Sequence, residues 1–322
     1  MGARARRRHR WIGLVLAAWL ALTPGAGAAS GCGFAAGGAL PPGRPAIADA
    51  GPGRPGVLRT PAEAAQIVRR LDRVARWAPG LVSVWYYDLT THEYFGVRAD
   101  EEHTAASTVK VLIAGYLYHQ AAAGRLSLDE PLAIRPVDWK DGSGILNGVP
   151  DGTRLPLREV ARLMLVHSDN TAANALLRRL GVQPMVQYYR SLGVRYGSPG
   201  MRTPQDLWQG NRIAPEDLGI VLRNIWEAAR RSPDPWAELL TFMQQSRSKG
   251  RIPAGLPPGV PVANKTGSKG TSFHDAAIVL DRRRPYVLVV MTRGMTAPEA
   301  SAAIARVSRE VWEWHGRRAP QP

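Results

Sequence analysis

Polar and apolar positions along this chain follow two rhythms, one of period near 3.6 and one near 2. Thr60-Pro61-Ala62-Glu63 offers a capping threonine, a proline at the first helical position and an acid three after the cap. Ile67, Leu71 and Val74 then recur on one face, which predicts a helix to about Trp77. Residues 81–88 and 94–97 are rich in β-branched and aromatic residues and predict paired strands. An apolar helix is predicted over Val111 to Ala123. From Leu126 to Leu240 the pattern is helical with loops, clearest over 157–167, 171–180 and 215–230. Strand patterning returns over 260–265, 273–280 and 286–291, and a helix over 298–314 follows. Two strands, a helical insert and three more strands, with helices at both ends, predict one interleaved domain with a sheet lobe and a helical lobe.

The first 58 residues follow neither rhythm. Residues 1–31 read as an export signal: a basic start, an apolar run from Trp11 to Leu22 too short for a comfortable membrane span, then small residues. Ala26-Gly27-Ala28 suits an ordinary signal peptidase. Ala29-Ser30-Gly31-Cys32 resembles a bacterial lipobox with Ala in the place usually held by Leu, and would put a diacylglycerol on Cys32. Both routes stay open. Residues 32–58 are rich in Gly, Pro and Ala and read as a flexible tether, so the folded domain is expected over 59–318.

Composition narrows the partners. The 45% hydrophobic content suffices for a substantial core. The formal charge is +16, but five of the arginines lie in the first ten residues. A basic domain suits anionic substrates and envelope polymers. No zinc spacing and no aromatic-basic signature points to nucleic acid, so no nucleic-acid partner is expected. Cys32 is the single cysteine, which excludes an intrachain disulfide. No Cys/His cluster has metal spacing, and neither a metal nor an organic cofactor is expected. Membrane contact is expected only through a lipid anchor, and the protein is expected to be a monomer, exported to the cell envelope or secreted.

The candidate chemistry starts at Ser107-Thr108-Val109-Lys110, where an extended stretch gives way to the apolar helix. Residues three apart share a helix face, so Ser107 and Lys110 point the same way, a nucleophile with a built-in base. A second Ser-x-x-Lys, Ser246 to Lys249, lies in a Gly/Pro-rich stretch and reads as a solvated loop. Ser168-Asp169-Asn170 follows 61 residues after Ser107, between two helices, and Lys265-Thr266-Gly267 a further 97 residues on, at the end of a strand. Taken singly, Ser168 reads rather as a helix cap, and Lys110 and Lys265 as surface lysines. Together they make a site. Lys110 can take the Ser107 proton if a second cation, Lys265, lowers its pKa. Ser168 can relay that proton to a leaving nitrogen. Asn170 can fix Lys110 and a substrate amide, while Lys265 and Thr266 can hold a substrate carboxylate. Gly267 keeps the strand edge open.

These three elements in this order are the signature of penicillin-binding proteins and class A β-lactamases. With Asp141–Leu146, Leu163–Asn174 and Ile252–Leu256 around them, the chain resembles the class A β-lactamase-like serine hydrolases over about residues 60 to 316. The resemblance implies an α+β fold of the β-lactamase/transpeptidase type, an antiparallel sheet flanked by terminal helices plus an inserted all-helical lobe. It implies acylation of Ser107 by a β-lactam or a peptidoglycan-like amide, and an oxyanion hole from the backbone N–H groups of Ser107 and Ser268. It also implies a structural Asp169. One part of the family pattern is missing: the Glu-x-x-Leu-Asn loop motif whose glutamate activates the deacylating water. Between Thr171 and Pro215 the only acid is Asp206. Its setting, Thr203-Pro204-Gln205-Asp206, reads as a helix cap, and Asp206 is the one weak candidate for a deacylation base. A β-lactam hydrolase is implied if deacylation is competent. The alternatives are a penicillin-binding peptidase or esterase on cell-wall peptides, and a wall-binding protein that has lost the reaction.

Overall fold

The computed structural model describes residues 64–196 and 202–318. The expected export signal, the expected tether with Cys32 and the expected Thr60 cap lie outside these residues. In chain order the helices among them are α1 (Ala64–Trp77), α2 (Lys110–Ala122), α3 (Leu157–Val166), α4 (Asn170–Leu180), α5 (Val182–Ser191), α6 (Pro204–Gln209), α7 (Pro215–Arg231), α8 (Pro233–Gln244) and α9 (Ala297–Arg318). The strands are β1 (Leu81–Asp88), β2 (Tyr94–Val97), β3 (His103–Thr104), β4 (Pro131–Ile134), β5 (Thr153–Pro156), β6 (Arg212–Ile213), β7 (Val262–Lys269), β8 (Ser272–Val279) and β9 (Tyr286–Arg293).

Five strands form one antiparallel sheet in the order β2-β1-β9-β8-β7, with β7 at an edge. Alternate residues of a strand face opposite sides. Val84 and Tyr86 of β1 pack with Leu288 and Val290 of β9 against Ile67 and Leu71 of α1 and Ile304, Val307 and Val311 of α9. The other face is covered by α7, whose Gly219 lies so close that a Cβ there would stand 2.0 Å from the Trp85 ring. Burial on both faces explains why β1 and β9 are apolar almost without alternation. In the helical lobe α2 is buried from Lys110 to Tyr118 without a polar face, the pattern of a central helix. The α+β class, the sheet with helices from both ends and the inserted helical lobe agree with the sequence reading.

The structure corrects several details. Ser107 lies in a 3-10 turn, Ala106–Val109, and the α-helix begins only at Lys110. Lys265-Thr266-Gly267 sits in the middle of an eight-residue strand rather than at its end. Helices α5 and α8 lie in the stretch read as helical with loops but are not singled out in it. Gly181 and Pro184 bracket the start of α5, and α8 opens on Pro233-Asp234-Pro235, where Asp234 is extended (ψ 128°) and the helix is kinked. The Ser246 to Lys249 stretch is a loop, as expected, but Ser246 itself is buried.

Buried histidines fasten the segment that leads to Ser107. His274 of β8 accepts from the Thr292 backbone N–H at its Nδ1 (3.1 Å) and donates from Nε2 to Thr104 O (2.7 Å). Those two partners fix its neutral tautomer. His103 of β3 packs edge-on against it and meets Ser83 Oγ at 2.9 Å.

Candidate active site

Three segments far apart in sequence converge at the edge strand β7. The turn carrying Ser107 lies against it so closely that a Cβ on Gly267 would stand 2.9 Å from Ala105 O and 3.1 Å from Ser107 N. Only glycine fits there, so the backbone N–H of Ser107 and the strand around Ser268 stand side by side. Ala106, just before Ser107, has φ +48°, and Ser168 has φ +55°. Both are left-handed conformations that cost a non-glycine residue about 1 kcal/mol or more. At Ser168 the conformation turns the carbonyl inward, where it accepts from Lys110 Nζ at 2.5 Å and from Ser143 Oγ at 2.6 Å.

Lys110 is fully buried. Its Nζ lies 2.7 Å from Asn170 Oδ1, 3.2 Å from Ser168 Oγ and 3.3 Å from Ser107 Oγ. Burial, and then the charge of Lys265, hold it well below the ordinary lysine value, against a smaller upward pull from Asp169. Lys265 Nζ donates to Ser168 Oγ at 3.0 Å and to Thr266 O at 2.8 Å. Burial lowers Lys265 to about 8; Asp275 opposes that and Arg251 adds to it. Ser168 Oγ thus stands between the two lysine nitrogens.

Asp169 works as scaffold. Its Oδ1 caps α4 by accepting from Ala172 N (2.8 Å), and its Oδ2 accepts from Ile145 N (2.5 Å) and Leu146 N (2.9 Å). This pins the 141–146 loop to the mouth of the site, and Gly144 leaves the room for it. Asn170 Nδ2 donates to Asp141 O at 2.8 Å, which leaves one N–H of its amide for a substrate.

Sequence reasoning missed Arg251. Its guanidinium donates to Gly267 O (2.9 Å), His274 O (2.5 Å) and Ser268 Oγ (2.7 Å), beside Lys265 and Thr266. A second cation at this end of the cleft strengthens its fit to a carboxylate. The residue sits in a Gly/Pro loop with no periodicity, and only its place just before Ile252 hinted at it. Buried Asp275, bonded by Asn264 Nδ2 (3.0 Å) and Ile252 N (3.0 Å), supplies negative charge beneath these cations. Asp206 forms a capping box: its Oδ2 accepts from Thr203 N (2.8 Å) and Arg202 N (3.0 Å), and its N–H donates to Thr203 Oγ1. No group of three or more potential metal ligands occurs among the described residues.

The arrangement can activate a serine hydroxyl, pass its proton onward and anchor an anionic substrate beside a strand edge. Known proteins point the same way. The family model described as the beta-lactamase enzyme family matches residues 66–315. Beta-lactamase CTX-M-97 of Escherichia coli is 27% identical over 254 residues, 76% of this chain and 86% of that protein. Beta-lactamase CTX-M-8 of Citrobacter amalonaticus is also 27% identical, with the same coverage. Among solved structures, a mutant of PBP-A in an acyl-enzyme complex with penicillin G superposes with a TM-score of 0.72 at 27% identity, covering 79% of this chain and 97% of that one. An ancestral class A beta-lactamase gives 0.70 at 25% identity, covering 77% and 99%. The match across the whole described domain, together with the shared fold, places the chain in the beta-lactamase enzyme family.

Proposed function

We propose that this chain is an exported serine hydrolase in which Ser107 attacks a β-lactam or a related amide and becomes acylated. The observation that carries the reading is the buried Lys110 amine, 3.3 Å from Ser107 Oγ and disfavoured as a cation. Lys110 accepts the Ser107 proton as the Oγ–carbon bond forms. Ser168 passes it to the departing nitrogen as the amide bond breaks. The backbone N–H groups of Ser107 and Ser268 stabilise the oxyanion. Lys265, Thr266 and Arg251 hold the substrate carboxylate, and Asn170 holds its amide. The acyl-enzyme of PBP-A with penicillin G, a structure similar to this one, supports the chemistry. Intact mass after mixing with penicillin G tests it. Wild type gains one penicillin and Ser107→Ala gains none; equal labelling of the two would refute the assignment.

A second reading is favoured by the loop before α7: a penicillin-binding peptidase on cell-wall peptides, which acylates well and hydrolyses its β-lactam ester slowly. Asp206 is the weak candidate for a base there, and its helix-capping bonds speak for the structural role. We further propose that residues 1–31 direct export and 32–58 tether the domain. The mass of the mature N-terminus separates a lipidated Cys32 from cleavage after Ala28.

A further inference from the structure

We propose that Trp208 sets the lifetime of the acyl-enzyme by filling the place from which water would attack it. This rests on the acylation of Ser107 proposed above.

The loop that carries Trp208 is fastened at two points. Trp208 Nε1 donates to Asn174 Oδ1 at 2.7 Å. Three residues on, Asn211 Nδ2 donates to Ala106 O at 3.0 Å, and Asn211 O accepts from Ala105 N at 2.8 Å. Asn174 follows Asn170 by one turn of α4, so the two carboxamides share a helix face. Asn170 Oδ1 is the group that holds Lys110, and Ala106 is bonded directly to Ser107. Residues 208–211 therefore run from the Lys110–Asn170 face to the residue before the nucleophile, over a span of at most about 10 Å. The half-buried indole lies at one end of this strap.

A water approaching an ester at Ser107 from this side needs space and polar partners. Asn174 Oδ1 is taken by the indole, and Asn174 Nδ2 donates to Asp138 O at 3.2 Å. Leu207, Trp208, Gln209, Gly210 and Asn211 bring no carboxylate. The Asp206 carboxylate is engaged by two backbone N–H groups. Deacylation requires the water oxygen to bond to the ester carbonyl carbon while one of its protons passes to a base. The carbon–Oγ bond then breaks, and Ser107 Oγ takes the proton back. Lys110, whose burial disfavours the charged form, can serve as that base. The indole denies the water its place.

Wild type, Trp208→Phe, Trp208→Leu and Trp208→Ala are mixed with penicillin G and the adduct is followed by intact mass, with a thermal melt on each. The adduct is expected to persist in wild type and in Trp208→Phe, which keeps the bulk. It is expected to clear at least about tenfold faster in Trp208→Leu and Trp208→Ala, with hydrolysed penicillin appearing. The change falls on clearance rather than on formation, which a general loosening of the fold would not produce. Should Trp208→Ala fail to fold, Trp208→Leu carries the test. Equal lifetimes in the small and large variants overturn the proposal, and so does a wild-type adduct that clears within minutes. No adduct on wild type overturns the reading of Ser107 and this proposal with it, a result distinct from the other two.

Discussion

Lys110 Nζ has more oxygens around it than a neutral amine has protons. Two of them, Ser168 O at 2.5 Å and Asn170 Oδ1 at 2.7 Å, are carbonyl oxygens and can only accept. They take both N–H groups of the neutral amine and leave its lone pair facing the hydroxyls of Ser107 and Ser168. Burial and the neighbouring Lys265 favour that neutral form. Lys265, at about 8, has Asp275 pulling the other way and keeps its charge at neutral pH. Acylation is therefore expected to rise with pH as Lys110 loses its proton and to fall above about pH 8 as Lys265 loses its own. Lys265→Arg should remove the alkaline limb, because a guanidinium does not titrate there. An alkaline limb that stays near 8 in that variant assigns it to another group.

The strand β7 and the turn beside it are coupled through one glycine. A methyl group on Gly267 would meet Ala105 O at 2.9 Å and Thr108 Cγ2 at 3.1 Å, so the turn must shift by a few tenths of an ångström. Such a displacement of a nucleophile costs on the order of tenfold to a hundredfold in rate. Gly267→Ala is expected to slow acylation by that much with a small change in melting temperature; acylation at the wild-type rate would contradict the packing argument. At this scale much was legible in the sequence. Ser107 and Lys110 three apart, the Ser168 triplet between two helices and Lys265 in a strand carry their chemistry in side chains at readable spacings. The sheet strands were readable because burial on both faces makes them apolar throughout. Arg251 was not, since its role comes from a loop folding back on β7. The left-handed Ala106 and Ser168 were invisible too, because neither is a glycine or asparagine that would advertise the conformation. Helices α5 and α8 were hidden by Gly181 and Pro235 at their starts, where helix breakers do little harm.

The segment that leads to Ser107 is held by the buried histidines His103 and His274, and that has a cost in acid. Burial, first of all, keeps His103 at about 4 and His274 at about 3, against 6.5 for free imidazole. The unfolded chain takes up these protons near pH 6.5, while the fold resists until about 4 and about 3. The unfolded state thus binds more protons across that window, and stability falls as pH falls through it. Each histidine contributes on the order of a few kcal/mol to this loss. Chemical denaturation at pH 7 and pH 4 should show it, with about one histidine's share of the difference removed in a His274→Gln variant that still folds; an unchanged pH dependence there would place the acid sensitivity elsewhere. Whether the converged lysines make Ser107 a nucleophile is decided by the time course of intact mass with penicillin G, followed by peptide mapping. One penicillin per chain, attached at Ser107 and absent from Ser107→Ala, is the predicted result. A chain that stays unmodified at saturating drug, or carries the adduct on another residue, contradicts it.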